Sequence, residues 1–498
     1  MTRMLSITIP SSAAGKRLSL YLAESGYPIS ADCGGRGKCG KCRVTILSGR
    51  FSTTPDGSTT AIPDTDGKLL SCRVFCTREA SVIALPVSEE SDTSISPTIP
   101  PSTADKSCGI ALDIGTTTLA AALVRLADGS ILRTVSRLNP QKSFGADVMS
   151  RISAIMQDEA LLSMMQKLLL DAVRQMMAEL TDESPVPCMT VAGNPTMLHL
   201  FCGVSPVGMG AYPFTPLFID TKTLSGRELD LPTEQITLLP SISAFIGGDL
   251  TAGMIAKALT SHEKPVLLVD MGTNGEMLLY TGTSRGDKLY GTSTAAGPAL
   301  EGAGISTGTG GVRGAVSAVV WNGFSLQCET VDGAPPIGIC GSGLMDLVSV
   351  LLLRGLIDET GYLEEDPFPY AANLTLTGRD VRALQTAKSA LRAGMEVLCE
   401  TAGISPRELS AVYIAGGLGQ YMRISSAIQI GLLPPCPPQI ITAVGNTALL
   451  GAAMALQNPS LMEAVSRDAK RCQVVELNLS PSFSDKFMEY MLFPEIED

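Results

Sequence analysis

The 498-residue chain carries 37 Lys and Arg against 49 Asp and Glu, a net charge of −12. With no basic run in it, nucleic acid is excluded as a partner. Hydrophobic residues make up 45% of the chain, which predicts a globular protein of roughly two to four domains. The N-terminus, MTRMLSITIPSS, alternates like a strand and lacks an apolar core segment, so no secretory leader is expected. The most apolar stretch, SGLMDLVSVLLLRGL at 342–356, includes Asp346 and Arg354 and is too short to span a bilayer. Of the 13 cysteines, Cys188, Cys202, Cys340 and Cys399 stand singly among apolar residues. They read as buried thiols of a cytoplasmic protein in a reducing compartment, not as disulfides.

Residues 1–86 read as a small β-rich unit, with a strand over 4–9 and a helix, KRLSLYLAESG, burying Leu18 and Leu22. Next comes ADCGGRGKCGKCRVTIL, and later LLSC. Cys33, Cys39, Cys42 and Cys72 thus follow C-x5-C-x2-C…C, one residue longer in the first gap than the plant-type [2Fe–2S] spacing. A two-iron cluster needs four thiolates, two per iron, and one loop supplies three only if its backbone folds around the cluster. Gly34, Gly35, Gly37 and Gly40 permit that. Arg36, Lys38 and Lys41 would favour an anionic cluster. Tetrahedral zinc is the alternative, although zinc ribbons pair two C-x2-C knuckles and only one such step occurs here. Cys76 reads as a spare buried thiol. Residues 87–107 (VSEESDTSISPTIPPSTADKS) have almost nothing to bury and predict a flexible linker, so that the redox unit moves. Glu89, Glu90 and Asp92 read as soluble spacer.

From Cys108 strands and helices alternate. GIALDIGTTTLAAALV sets Asp113 at the end of an apolar strand, followed by a Gly-Thr turn and a second strand. VLLVDMGTNGEMLLY repeats this around Asp270. Between the copies, FGADVMSRISAIMQ places Val148, Ile152, Ile155 and Met156 on one helical face. The helix after it carries Met164, Met165, Met176 and Met177, which read as packing. A later helix near 378–401 shows Val381, Leu384, Leu391, Met395 and Leu398. His199 reads as a satisfied interior histidine and His262 as part of a solvated turn.

An Asp-x-Gly-Thr hairpin points backbone N–H groups and Thr hydroxyls at phosphate oxygens, while its Asp holds hydrated Mg²⁺. Two copies clamp a polyphosphate from both sides. A third loop, IAGGLGQ at 414–420, lets a flat ring approach Gly416 and Gly417. This set resembles the actin, sugar-kinase, Hsp70 and acetate-kinase (ASKHA) superfamily, with GGDLTAGMIAKAL and VGNTALLGAAMAL similar to its connecting helices. The fold class expected is multidomain α+β and α/β. A β-grasp ferredoxin-like [2Fe–2S] domain (1–86) and the flexible linker precede a two-lobed ASKHA domain over 108–498. Lobe I covers about 108–260 and lobe II about 261–498.

An iron–sulfur unit joined to an ASKHA domain resembles the reductive activators of corrinoid proteins. NPQKSFGADVMSRI, VAGNPTMLHLFCGV, AAGPALEGAGI, PIGICGSGLMDLV and ELNLSPSFSDKF add to that resemblance. Members of that family often carry a middle domain between linker and ASKHA unit, and here only the linker is expected. The resemblance implies ATP-dependent, one-electron reduction of Co(II) to Co(I) in the corrinoid protein of a methyltransferase system. Cys33, Cys39, Cys42 and Cys72 would hold the [2Fe–2S] cluster. Asp113 and Asp270 would position Mg²⁺, and Glu276 would orient water. Gly115, Thr116, Thr117, Gly272, Thr273 and Asn274 would bind ATP phosphates, with Gly416 and Gly417 framing adenosine. An upstream low-potential electron donor is implied, and the resemblance is compatible with a homodimer. Alternatives are an ASKHA small-molecule kinase with a redox-sensing cluster, an ATP-dependent activator of another redox enzyme, and a chaperone-like interaction protein.

Overall fold

The computed structural model describes residues 4–27, 29, 31, 33–86, 107–420 and 422–495. The predicted linker therefore lies outside the described residues except for Ser107. Two compact units emerge, Met1–Phe218 with Thr223–Leu238, and Ile219–Lys222 with Leu239–Asp498.

The first unit begins with β1 (Met4–Ile9), α1 (Leu18–Glu24), β2 (Arg43–Ser48), β3 (Lys68–Leu70) and β4 (Ser81–Pro86). They form an antiparallel sheet in the order β1-β4-β2-β3. Leu18 and Leu22 of α1 close a core with Ile7, Ile9, Val44, Phe51 and Ile83. Cys76 is buried in that core, and burial pushes its thiol up to about 11, so it behaves as a spare hydrophobe.

A larger sheet follows: β5 (Cys108–Ile114), β6 (Thr118–Arg125), β7 (Ile131–Leu138), β8 (Val186–Gly193), β9 (Lys222–Ser225) and β10 (Thr233–Leu238). Its order is β9-β10-β8-β5-β6-β7. Strands β5 to β7 are an antiparallel meander, and β8 and β10 add in parallel on the other side of β5. Helices α2 (Val148–Gln157), α3 (Ala160–Thr181) and α4 (Pro195–Phe201) cover it. Asp147 caps α2 by accepting the Ser150 N–H at 2.7 Å. Val148, Ile152 and Ile155 are buried as the helical period predicts, but Met156 is 58% exposed. Arg151, on the same face as Val148 and Ile155, takes the inward position instead. Leu20 of α1 packs against this larger core, so the small domain rests on it.

The second unit contains α5 (Gly248–Ala256), β11 (Val266–Met271), β12 (Gly275–Tyr280), β13 (Leu289–Thr294), β14 (Ala315–Trp321) and β15 (Leu326–Thr330). It continues with α6 (Gly341–Leu353), α7 (Gly378–Ala402), β16 (Ala411–Ala415), β17 (Ile441–Gly445), α8 (Thr447–Gln457), α9 (Pro459–Arg471) and α10 (Pro481–Glu489). Its main sheet runs β17-β16-β11-β12-β13, with Gln473–Val474 at the far edge. That is the first unit's plan again: a three-strand meander, then two parallel strands beside its first member. Strand β11 is an unbroken buried run, Val266–Val269, as a central strand covered on both faces requires.

Helices α5 and α8 meet through backbone. A Cβ on Gly451 would fall 1.9 Å from the Ala252 carbonyl oxygen. On α7 the predicted Val381, Leu384, Leu391, Met395 and Leu398 are all buried. The same helix holds the segment after α10 by its backbone. Lys388 Nζ donates to the carbonyls of Tyr490 (2.6 Å) and Leu492 (2.5 Å), and Gln385 Nε2 to that of Met491 (2.7 Å). The Lys388 ammonium also lies over the buried Phe493 ring. Among the described residues, no helix is long and apolar enough to cross a membrane.

Candidate functional site

The four N-terminal thiols lie in two pairs. Cys42 and Cys72 sulfurs are 3.2 Å apart and buried, while Cys33 and Cys39 are half-buried and hydrogen-bonded to each other. Gly34, Gly35, Gly37 and Gly40 all have positive φ, so the loop turns its N–H groups inward. Burial pushes the Cys33 thiol up. Hydrogen bonds from the backbone N–H groups of Cys39, Lys38 and Gly37 outweigh it and bring the thiol down to about 7. The thiol–thiol hydrogen bond with Cys72 leads in holding Cys42 at about 6, and Cys72 is raised in return. Ser71 Oγ is fully buried beside the Cys42 sulfur, which its hydrogen bond helps to hold low. Among the described residues no three His, Cys, Asp or Glu side chains are gathered to hold one metal ion. Paired thiols and backbone N–H donors turned toward them fit a two-iron cluster, two thiolates per iron, better than one tetrahedral zinc.

The cluster loop packs on the segment before α2. Ala31 N–H donates to the Lys142 carbonyl at 3.3 Å, and a Cβ on Gly34 would meet the Phe144 and Ser150 carbonyls at about van der Waals distance. That segment also supports the first Asp-Gly-Thr hairpin, between β5 and β6. Asn139 Nδ2 donates to the Gly115 carbonyl at 2.9 Å, and Asn194 Nδ2 to Thr116 Oγ1 at 2.9 Å. Arg151, fully buried, donates to the Thr116 carbonyl (2.5 Å), the Gly145 carbonyl (3.1 Å) and Gln141 Oε1 (3.2 Å). Burial brings its guanidinium down to about 9, against the pull of Asp147. Thr117 is exposed at the hairpin tip, and Asp113 sits on β5 opposite Ala192 of β8.

The second hairpin, between β11 and β12, is bound by carboxylates. Asp270 pairs across the ladder with Glu276. Burial first, then Asp249 and Asp270, raise the Glu276 carboxyl well above its ordinary range, while the Asn274 side chain opposes this by hydrogen bonding. Burial pushes Asp249, in the first turn of α5, up to about 6. Glu301 Oε1 accepts the Thr273 N–H at 2.8 Å beside Gly272, and Gly297 N–H donates to the Thr273 carbonyl at 2.8 Å. The third loop reaches the same place. Gly416 has φ +96°, and a Cβ there would meet Met271 O at 2.7 Å and Asp270 Oδ1 at 2.8 Å. At Gly417 a Cβ would meet nothing within 4 Å.

Arg151, Asp249, Glu301 and Ser71 carry these sites without having been singled out as site residues in the sequence. Three of them stand in segments that the family resemblance picked out, which was the one available signal. His199 is interior, as expected: Nδ1 bonds the Pro195 carbonyl at 2.7 Å, Nε2 accepts the Leu217 N–H at 3.1 Å, and the ring stacks on Phe218. His262 is half-buried, its Nε2 3.4 Å from the Lys257 carbonyl.

Family models match along the chain. Residues 6–77 match a 2Fe-2S iron-sulfur cluster binding domain, residues 108–262 the RACo middle region, and residues 264–498 the C-terminal ASKHA domain of RACo. The chain belongs to the RACo family. Corrinoid activation enzyme RamQ of Eubacterium limosum is 28% identical over 424 residues, covering 77% of this chain and 70% of the relative. The [Co(II) methylated amine-specific corrinoid protein] reductase of Methanosarcina barkeri is 28% identical over 418 residues, covering 75% and 74%. A solved reductive activator for corrinoid, iron-sulfur protein superposes with TM-score 0.72 at 25% identity, covering 98% of this chain and 96% of the other. One expectation is corrected here. The RACo middle region is present, at 108–262. It escaped recognition because its sheet repeats the plan of the second unit's sheet, so its sequence reads as an ASKHA lobe.

Proposed function

We propose that this RACo-family chain is an ATP-dependent reductive activator of a corrinoid protein, returning Co(II) to Co(I) for methyl transfer. The observation that carries this reading is the pairing of four thiols inside a glycine loop whose supporting segment also holds the first Asp-Gly-Thr hairpin. Cys33 and Cys39 hold one iron and Cys42 and Cys72 the other. When bound, the [2Fe–2S] cluster supplies a single low-potential electron.

The electron runs uphill to cobalt, and each ~59 mV of deficit costs about 1.4 kcal/mol for one electron. ATP offsets that cost through unequal affinity for two conformations. Gly115, Thr116 and Thr117 bind phosphate, with Asn139 fixing the Gly115 carbonyl, Arg151 the Thr116 carbonyl, and Thr117 exposed at the tip. Asp113 and Asp270 would position Mg²⁺, a cation that uses one or two carboxylates and keeps much of its hydration. Gly272, Thr273 and Asn274 take phosphate once Glu301 yields the Thr273 N–H. Glu276, buried beside Asp249 and Asp270 with its carboxyl held well above the ordinary range, would orient water. Gly416 and the open face at Gly417 receive adenosine. A low-potential carrier supplies the electron, and the chain works in the cytoplasm, where its 13 free cysteines stay reduced.

Anaerobic mixing of the reduced protein with a Co(II) corrinoid protein, with and without Mg-ATP, tests this by Co(I) absorbance. Co(I) forms with ATP and at least ~10-fold more slowly without it. Equal rates, or no Co(I) in either case, would sink the proposal.

A further inference from the structure

Charge is distributed very unevenly along the chain. Residues 1–86 hold 11 Lys and Arg against 6 Asp and Glu, while the remainder holds 26 against 43. The small domain is therefore cationic, on a chain that is acidic overall. Arg17, Arg36, Lys38, Lys41 and Arg73 are all exposed, and they surround the cluster loop. Arg36 Nε donates to the Cys33 carbonyl at 2.8 Å. The Arg73 stem lies against Gly37, and Arg17 Nη1 would be 4.0 Å from a Cβ on Gly35. The domain's ion pairs lie elsewhere, Lys16–Glu24 at 2.7 Å and Arg43–Asp64 at 3.6 Å. None of the five is paired with a described carboxylate.

The loop's other side packs on Lys142, Phe144 and Ser150, so an electron arriving from solution enters through the cationic side. We propose that this ring is the docking face for an acidic one-electron carrier protein that loads the cluster. Five cations exceed what one anionic cluster needs locally, and unpaired exposed charge acts chiefly on encounter rate. The carrier loses one electron and the cluster gains it; no atom moves. This rests on the reductive-activator reading for the acceptor, but the loading step is followed on the chain's own cluster and stands or falls separately.

Flavodoxin, reduced to its hydroquinone, serves as the acidic probe. It is mixed by stopped flow with the full-length, cluster-loaded, oxidised protein. From ~0.02 to ~0.5 M NaCl the second-order rate constant is expected to fall at least ~10-fold. The double variant Lys38→Gln/Lys41→Gln loses about half of that salt slope, and Arg17→Gln, away from the cysteines, loses a smaller share. A neutral photoreductant shows no slope with any variant, which separates docking from changed cluster potential. Mixing the reduced variants with a Co(II) corrinoid protein leaves that step's slope unchanged. A salt-independent loading rate in the wild type, or a slope that the variants leave intact, overturns the proposal. A slope that moves only in the cobalt step overturns it too, assigning the ring to the corrinoid protein.

Discussion

The two Asp-x-Gly-Thr hairpins share strand order and an alanine opposite the Asp on the parallel neighbouring strand, Ala192 in one and Ala415 in the other, yet they are built on opposite electrostatics. Behind Gly115–Thr117 stand donors: the Asn139 and Asn194 amides and the buried Arg151. Around Gly272–Asn274 stand acceptors: Asp249, Glu276 and Glu301. A duplicated backbone has been given one surface suited to anions and one suited to a cation. Apart from Glu276, which stands on the hairpin's own second strand, the side chains that decide this come from elsewhere: α2, the segment before it and the cap of α4 in one unit, and α5 and the loop before β14 in the other. Local motif and local charge are separable, and only the motif repeats.

The largest effect is expected at the donor side. Arg151→Met strands the Thr116 and Gly145 carbonyls and Gln141 Oε1 in the interior, at a cost of about 3–5 kcal/mol in urea unfolding, with loss of nucleotide binding. A neutral outcome would mean that the first hairpin does not depend on a buried donor. On the acceptor side, Asp249 titrates near 6 in the folded chain against an ordinary 3.8. The folded state therefore holds an extra proton between those values. The stability it contributes is complete below about pH 4 and is lost as pH rises through 6, by up to about 3 kcal/mol. Asp249→Asn removes that share of the slope and leaves the share of Glu276, which burial raises in the same direction, and Mg²⁺ recovers part of the loss in the wild type; a slope that the substitution leaves unchanged belongs to other groups. Smallest is Asn139→Ala, at about 1–2 kcal/mol. It removes the bond to the Gly115 carbonyl and the cap on Gln141 N–H, and should weaken nucleotide binding severalfold while leaving the pH slope untouched. If Asn139→Ala changes that slope, the two hairpins do not act independently.

Much of this was legible from the chain. Cysteine spacing with four glycines predicts a folded thiolate loop because few other chemistries need that combination. Asp-x-Gly-Thr after an apolar strand is equally direct, since turn and strand are both local. Arg151 was not legible: one arginine in an amphipathic helix reads as a solvated residue until the sheet and the Thr116 carbonyl arrive above it. Asp249 opens a helix, where an acid is ordinary, and its proximity to Glu276 is tertiary. Ser71 precedes Cys72, and nothing local says that its hydroxyl is buried against the Cys42 sulfur. The middle region was hidden for the opposite reason, being so good a copy of the repeat.

The way α7 holds the chain's last described segment carries a further consequence. Lys388 and Gln385 bond main-chain carbonyls of Tyr490, Met491 and Leu492, and every residue type offers a carbonyl. The grip is therefore indifferent to which side chains the segment bears, apart from the Phe493 ring that sets its register. Relatives can rewrite these residues extensively and keep the segment docked, so sequence divergence there says little about structural divergence. Position 493 is where drift should stop.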